Sequence, residues 1–251
     1  VELNMKILKM CLTLCLSMAV LTGCSKKGLN EEEMKALLQE AQAQLVEATS
    51  GSMKLEADLQ MSGDGLGVES MPIVFSGEVN YKDLEKVERQ LACQLQLSLM
   101  GMSMPLEFYV QNSMMYTNVL NQKVKSPIDE ADMSLSTFTN EMDLSMMRHF
   151  VYAQENGNDV ITCELDSESL QSLMKEEKMN VSITCRYVID QNKNFSDIRI
   201  DIDFDGEVEG QKMKCQGYLS ITCDKINEAV EIQYPDFSDY QEEKDVSFDL
   251  I

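Results

Sequence analysis

Between residues 53 and 61, Met53, Leu55, Ala57, Leu59 and Met61 alternate with Lys54, Glu56, Asp58 and Gln60. A period of two belongs to a strand with one dry and one wet face. The pattern returns over 72–81, 88–99, 104–110 and 114–119, and after a break over 160–165, 180–190, 195–204, 211–223 and 228–234. Ser62–Gly67, Asn112–Ser113, Glu155–Asp159, Asp190–Asn194 and Asp205–Gly210 are short polar links, which imply antiparallel neighbours. A chain built this way must collect its dry faces on one side of a layer and cover them, so the expected class is α+β: an antiparallel sheet backed by helices.

Three segments depart from the two-residue period. Asn30 followed by Glu31, Glu32 and Glu33 supplies an N-cap and a capping-box glutamate, and the acidic residues suit the positive end of a helix. Met34, Leu37, Leu38, Ala41, Leu45 and Ala48 recur at helical spacing, which predicts an amphipathic helix over 31–49, ended by Ser50–Ser52. Residues 128–150 break the alternation and read as partly helical, and Leu170, Leu173 and Met174 predict a second helix over 167–178. The order is a leading helix, strands, a helix and strands, without a strict repeat. No Pro/Gly-rich linker divides residues 31–237, so one domain is expected there, followed by an acidic tail over 238–251 that frays beyond Pro235.

The first thirty residues carry a different message. Lys6 and Lys9 form a basic start, with Met5 reading as the initiator and Val1–Asn4 lying ahead of it. Met10–Leu21 is apolar but too short to span a hydrocarbon core of about 30 Å. Leu21, Thr22, Gly23 and Cys24 then match a lipobox, in which small residues before a cysteine permit diacylglyceryl transfer to the thiol and cleavage ahead of it. The expectation is a signal peptide over 1–23, lipidation at Cys24 and a short tether over 24–30. Two acyl chains hold a protein at a membrane far more firmly than one. That arrangement puts the domain outside the cell, anchored to the outer face of the cytoplasmic membrane.

Formal net charge is −22, and removing residues 1–23 leaves 19 basic against 42 acidic residues. Such a surface repels nucleic acid, which needs a basic footprint, and leaves room for a cationic envelope partner. Cys11 and Cys15 leave with the signal and Cys24 is acylated, leaving Cys93, Cys163, Cys185, Cys215 and Cys223. Five is odd, and no CxxC pair or Cys/His cluster points to zinc. All five fall in register with apolar neighbours: Cys93 with Leu91 and Leu95, Cys163 with Ile161 and Leu165, Cys185 with Ile183 and Tyr187, Cys215 and Cys223 with Leu219 and Ile221. Free cysteine there acts as a small hydrophobe. A pairing of Cys185 with Cys215 or Cys223 is the alternative.

Sixteen methionines follow residue 23, crowded in the first half at Met53, Met61, Met100, Met102, Met104, Met114 and Met115. A flexible, polarizable lining adapts to ligands without fixed shape, and it equally fills an irregular core. The candidate ligand lining begins with Leu55, Leu59, Phe75, Leu95 and Leu97. It continues through Met104, Leu106 and Phe108 of the fourth strand and Met142 and Met146 of the 128–150 segment. From the second half it takes Ile183, Cys185, Tyr187, Ile200, Leu219 and Ile221.

The lipobox, the leading helix, the run MKLEADLQMSGDG and the longer run GEVNYKDLEKVERQLACQLQLSLMGMSMPLEFYVQNSMMYTNV resemble lipoproteins of Gram-positive anaerobes. Over roughly residues 30–237 the chain is similar to the LolA/LppX/LprG-like superfamily of lipid and lipoprotein carriers. The resemblance lies in pattern and order and carries over no family site residue except Cys24. It implies a strongly curved antiparallel half-barrel, with helices on the concave face over a hydrophobic cavity.

Other chemistry finds little support. Asp201, Asp203, Asp205 and Gly206 match the opening of a calcium loop, but its twelfth position is Lys212 where a glutamate is required. Ile198, Ile200, Ile202 and Phe204 alternate with those aspartates, as on the wet face of a strand. His149, the only histidine, sits beside Phe150 and Val151 without a nucleophile motif, and neither GxSxG nor a P-loop occurs. The reading is a non-enzyme without cofactor or metal that carries a lipid, lipoprotein acyl chains or another hydrophobic small molecule between sheet and helices, with segment 128–150 opening to admit it. The rival is a non-catalytic cell-envelope adhesion or interaction module with a solid core, and a weaker third is a peripheral subunit of an export machine.

Overall fold

The computed structural model describes residues 28–64, 69–83, 86, 88–119, 121–128, 144–165, 179–208 and 211–242. Signal, lipobox, the helix over 167–178, most of segment 128–150 and the last nine residues lie outside them.

Helix α1 is Glu31–Val46. Its capping box forms as expected: the Glu33 amide donates to Asn30 Oδ1 at 3.0 Å and the Asn30 amide to Glu33 Oε2 at 2.8 Å. Met34, Leu37, Leu38 and Ala41 are its buried stripe. The helix ends three residues before the expected 49, because Ala48 is already buried against Tyr81 and Ser50 opens the first strand.

Twelve strands follow: β1 Ser50–Gly63, β2 Met71–Lys82, β3 Gln90–Leu99, β4 Met102–Gln111, β5 Met114–Val119, β6 Gln122–Pro127, β7 Met147–Glu155, β8 Asn158–Leu165, β9 Met179–Ile189, β10 Phe195–Val208, β11 Gln211–Ile226 and β12 Gln241–Glu242. They make one sheet in the order β12-β6-β5-β4-β3-β2-β1-β11-β10-β9-β8-β7. β1 to β6 form one meander and β7 to β11 another, and long β1 and β11 join them antiparallel. The sheet is curved and does not close into a barrel, since β7 and β12 are its two edges.

Gly217 marks a close approach of β11 to β1. It sits at φ +148, in a region that disfavours side chains, and a Cβ there would fall on the Asp58 carbonyl oxygen of the neighbouring strand. Gly77, two strands away on the same face, would likewise drive a Cβ into the Gln94 carbonyl oxygen.

Three expectations are corrected. Residues 147–150 belong to strand β7, not to a helix, and only Leu144–Met146 form a turn of 3-10 helix. Arg148 and Val151 flank a bulge with His149 at φ 55, so the two-residue period is broken there and hidden from a pattern search. Residues 122–127, on which the pattern made no assignment, form β6. Residues 228–234, read as a strand, form none: β11 is already flanked by β1 and β10, so the chain has no open edge beside it and leaves the sheet. It crosses to the opposite meander, where the Tyr234 hydroxyl donates to the Val110 carbonyl at 2.8 Å. Nor does the chain fray between Pro235 and Glu242. Tyr240 is buried, and Gln241–Glu242 add a short parallel strand to β6.

Candidate functional site: an apolar face closed at one half and one end

Strand registers set the apolar residues of the two meanders on one face. Leu55 stands opposite Ile221 on one side and Gly77 on the other, and that row continues through Leu95 to Leu106 and through Ile198 to Tyr187. In the next row, Ala57 lies between Leu219 and Phe75, with Leu97 and Met104 beyond one and Ile200 and Cys185 beyond the other. Leu59, Ile73, Leu99 and Met102 make a third row, and Ile183 falls on it across Ile202 and Gly217. Phe108 faces Cys93.

Helix α1 covers only the second meander. Met34, Leu37, Leu38 and Ala41 pack on Ile161, Cys163, Cys185, Tyr187 and Ile198, with Ile183, Ile200 and Ile221 half-buried against them. Cys185 and Tyr187 are each 3% exposed, so they are interior packing beneath a helix. In the first meander, Phe75, Leu95, Leu97, Met104, Leu106 and Phe108 share the face but are half-buried and enter neither buried apolar cluster of the described residues. Met146 is half-buried in the 3-10 turn, and Met142 lies outside the described residues.

The face is also graded along its strands. Tyr81, Val110, Ile189 and Phe195 are fully buried at one end, and Ala48 closes over Tyr81. The Tyr81 hydroxyl has no hydrogen-bond partner, and burial pushes its pKa up to about 12. At the other end Met61 lies between Met71 and Cys215, all half-buried, and the β3–β4 hairpin carries Met100 and Met102 at 53% and 60% exposure.

The five described thiols are free and sit on the apolar face. Cys185 faces Cys163 across β8 and β9, not Cys215 or Cys223, which lie opposite Met61 and Met53 on β1. The Cys163 thiol donates to Met147 Sδ at 3.4 Å, and hydrogen bonding with Cys185, then burial, raise its pKa.

The opposite face is wet. Asp201 pairs with Arg199 at 2.8 Å, Asp203 accepts from Gln216 and Asp205 pairs with Lys214 at 2.6 Å, so these aspartates stand along strand β10 with cationic or amide partners. His149 is exposed on edge strand β7, 3.0 Å from Glu164.

One feature of the wet face escaped the sequence reading. Phe237 stacks on Tyr116 with centroids 3.7 Å apart, Tyr234 and Phe237 meet Tyr109 edge-on, and Tyr240 meets Tyr116 and Phe237 edge-on. Lys123–Asp239 at 2.6 Å and Lys125–Glu242 at 3.4 Å flank the strap. Its signal was the Tyr-x-x-Phe-x-x-Tyr spacing in the acidic tail, together with Tyr109 and Tyr116 at polar-face positions.

Among the described residues, no helix is long and apolar enough to cross a membrane. No family model matches the chain, and no curated protein matches it. Solved structures do. The lipoprotein LppX of Mycobacterium tuberculosis is similar at 16% identity and TM-score 0.42, over 81% of this chain and all of that one. LprF of Mycobacterium bovis is similar at 15% identity and TM-score 0.41, over 83% and 99%. A Vibrio parahaemolyticus domain assigned to outer membrane lipoprotein sorting is similar at 10% identity and TM-score 0.21, over 81% and 95%.

Proposed function

We propose that this protein is a non-catalytic, extracytoplasmic lipoprotein that holds a hydrophobic ligand, a lipid or acyl chain, on the apolar face of its first meander. One observation carries the reading: a single apolar face runs across both meanders, yet among the described residues α1 and the larger buried cluster close only the second. Half-buried Phe75, Leu95, Leu97, Met104, Leu106 and Phe108 present apolar surface that a ligand could cover, and exposed apolar patches of this kind mark ligand or membrane contacts. Leu55, Leu59, Leu219 and Ile221 border the closed half. Under this reading Cys24 carries the acyl anchor at the outer face of the cytoplasmic membrane, and the acidic surface is open to a cationic envelope partner.

Native mass spectrometry of the chain purified from a lipid-containing host tests it. A co-purified lipid mass, lost on Leu97→Asp while the sheet stays folded by circular dichroism, is the expected result. A ligand-free spectrum, together with global unfolding of Leu97→Asp, would identify a solid core and favour an interaction module. Palmitate labelling in a bacterial host, abolished by Cys24→Ser, tests the anchor separately.

A further inference from the structure

We propose that the β3–β4 hairpin, tipped by Met100 and Met102, is the part of the domain that touches the bilayer, and that lipid chains pass over it between membrane and apolar face. The second half of this statement rests on the carrier reading above; the first does not.

The turn itself points to a purpose beyond folding. Met100 at φ 52 and Gly101 at φ 79 are both left-handed, as a two-residue hairpin turn requires, and asparagine or glycine suits those positions best. Two other hairpins put asparagine at the first of these positions: Asn112–Ser113 joins β4 to β5 and Asn156–Gly157 joins β7 to β8, with all four residues at positive φ. Of these three turns, the β3–β4 turn alone places a large apolar side chain at the strained first position, and it leaves that methionine 53% exposed.

Charge points the same way. Residues 90–106, the whole of β3 with the turn and the first half of β4, contain no charged side chain, in a protein of which 25% is charged. Desolvating that hairpin against hydrocarbon therefore strips water from no ionised group. Met102 continues the row of Leu59, Ile73 and Leu99, so the tip is the outer edge of the apolar face. The far end is shut by Tyr81, Ile189 and Phe195, which leaves the methionine end as the open one among the described residues. Unbranched thioethers conform to acyl chains of any shape. With Cys24 as the anchor, five residues lie between it and Asn30, the N-cap of α1, a reach of about 20 Å at most. The acidic remainder of the protein makes neutral lipid the favoured surface.

The experiment uses the full chain carrying Cys24→Ser, free of an anchor, mixed with phosphatidylcholine vesicles, and the lipidated chain held in the same vesicles. Brief hydrogen peroxide treatment followed by peptide mass spectrometry reads methionine sulfoxide at each position. Oxidation of Met100 and Met102 should slow at least threefold on vesicles in both forms, while half-buried Met53 and Met114, towards the closed end, keep their rates. Equal oxidation with and without vesicles overturns the docking surface, as does protection that grows with protein concentration in the absence of lipid, which would assign the tip to a second copy.

Met100→Asn with Met102→Asn then tests passage. Asparagine suits the turn, so thermal unfolding should show an intact fold. Uptake of a fluorescent fatty acid from vesicles should slow at least fivefold, with unchanged final loading from aqueous stock. An unchanged uptake rate overturns passage over the tip. If the unsubstituted chain binds no fluorescent fatty acid at all, the carrier reading and passage fail together, while the oxidation pattern still decides docking.

Discussion

Two leucines on the same sheet face distinguish a packed core from a ligand surface. Leu38 of α1 is fully buried over the second meander, and Leu97 is half-buried in the first meander, which no described helix covers. Truncation to alanine removes three carbons, worth about 2.4 kcal/mol of transfer energy at roughly 0.8 kcal/mol each when fully buried. At Leu38 an unfilled cavity adds to this, for a total of about 3–5 kcal/mol. At Leu97 half the transfer energy is at stake, about 1.2 kcal/mol, and water or ligand enters the space without a cavity penalty. Urea unfolding of the delipidated protein, followed by tyrosine fluorescence and far-UV circular dichroism, measures both. Adding a fatty acid should raise the midpoint of the unsubstituted protein by mass action and raise that of Leu97→Ala less, while Leu38→Ala keeps the full increment. A Leu97→Ala loss as large as that of Leu38→Ala, with no response to fatty acid, would show that the first meander is packed as tightly as the second and would refute the argument for a ligand face.

Gly217→Ala should destabilise by about 3 kcal/mol or more, since its Cβ meets the Asp58 backbone at a φ that disfavours side chains; differential scanning calorimetry should show a Tm lower by about 10 °C. Phe237→Ala removes the ring stacked on Tyr116 and should release the strap without unfolding the sheet, at a local cost of about 2 kcal/mol. Limited proteolysis should then cut within residues 231–242, and an unchanged digestion pattern would count against the strap. Alkaline pH should unfold the protein progressively between about pH 10 and 12. The hydrogen bond to Asp159 raises Tyr152 to about 12, and burial does the same for Tyr81, Tyr234 and Tyr240. Each folded value lies above the unfolded one, so the stabilisation is complete below pH 10 and is lost as pH rises through 12. Spectrophotometric titration of the phenols checks this, and Tyr152→Phe should make the decline shallower.

Much of this architecture could be read from residue order because strand and helix periods are local properties. Met53–Met61 announced β1, Asn30 and Glu33 announced the cap of α1, and the alternating thiols announced which face they would share. Tertiary placement decided the rest. The alternation at 228–234 promised a strand, but pairing needs an open neighbour, and β1 and β10 had already taken both sides of β11. Strand β7 was hidden because the bulge between Arg148 and Val151 shifts the period by one residue. Equivalent apolar residues on the two meanders, such as Tyr187 and Leu106, met different fates because α1, the one α-helix among the described residues, packs on the second meander alone. Periodicity says which side of a strand is dry. Only the packed chain says whether protein is there to keep it dry, since that depends on contacts between residues far apart in sequence.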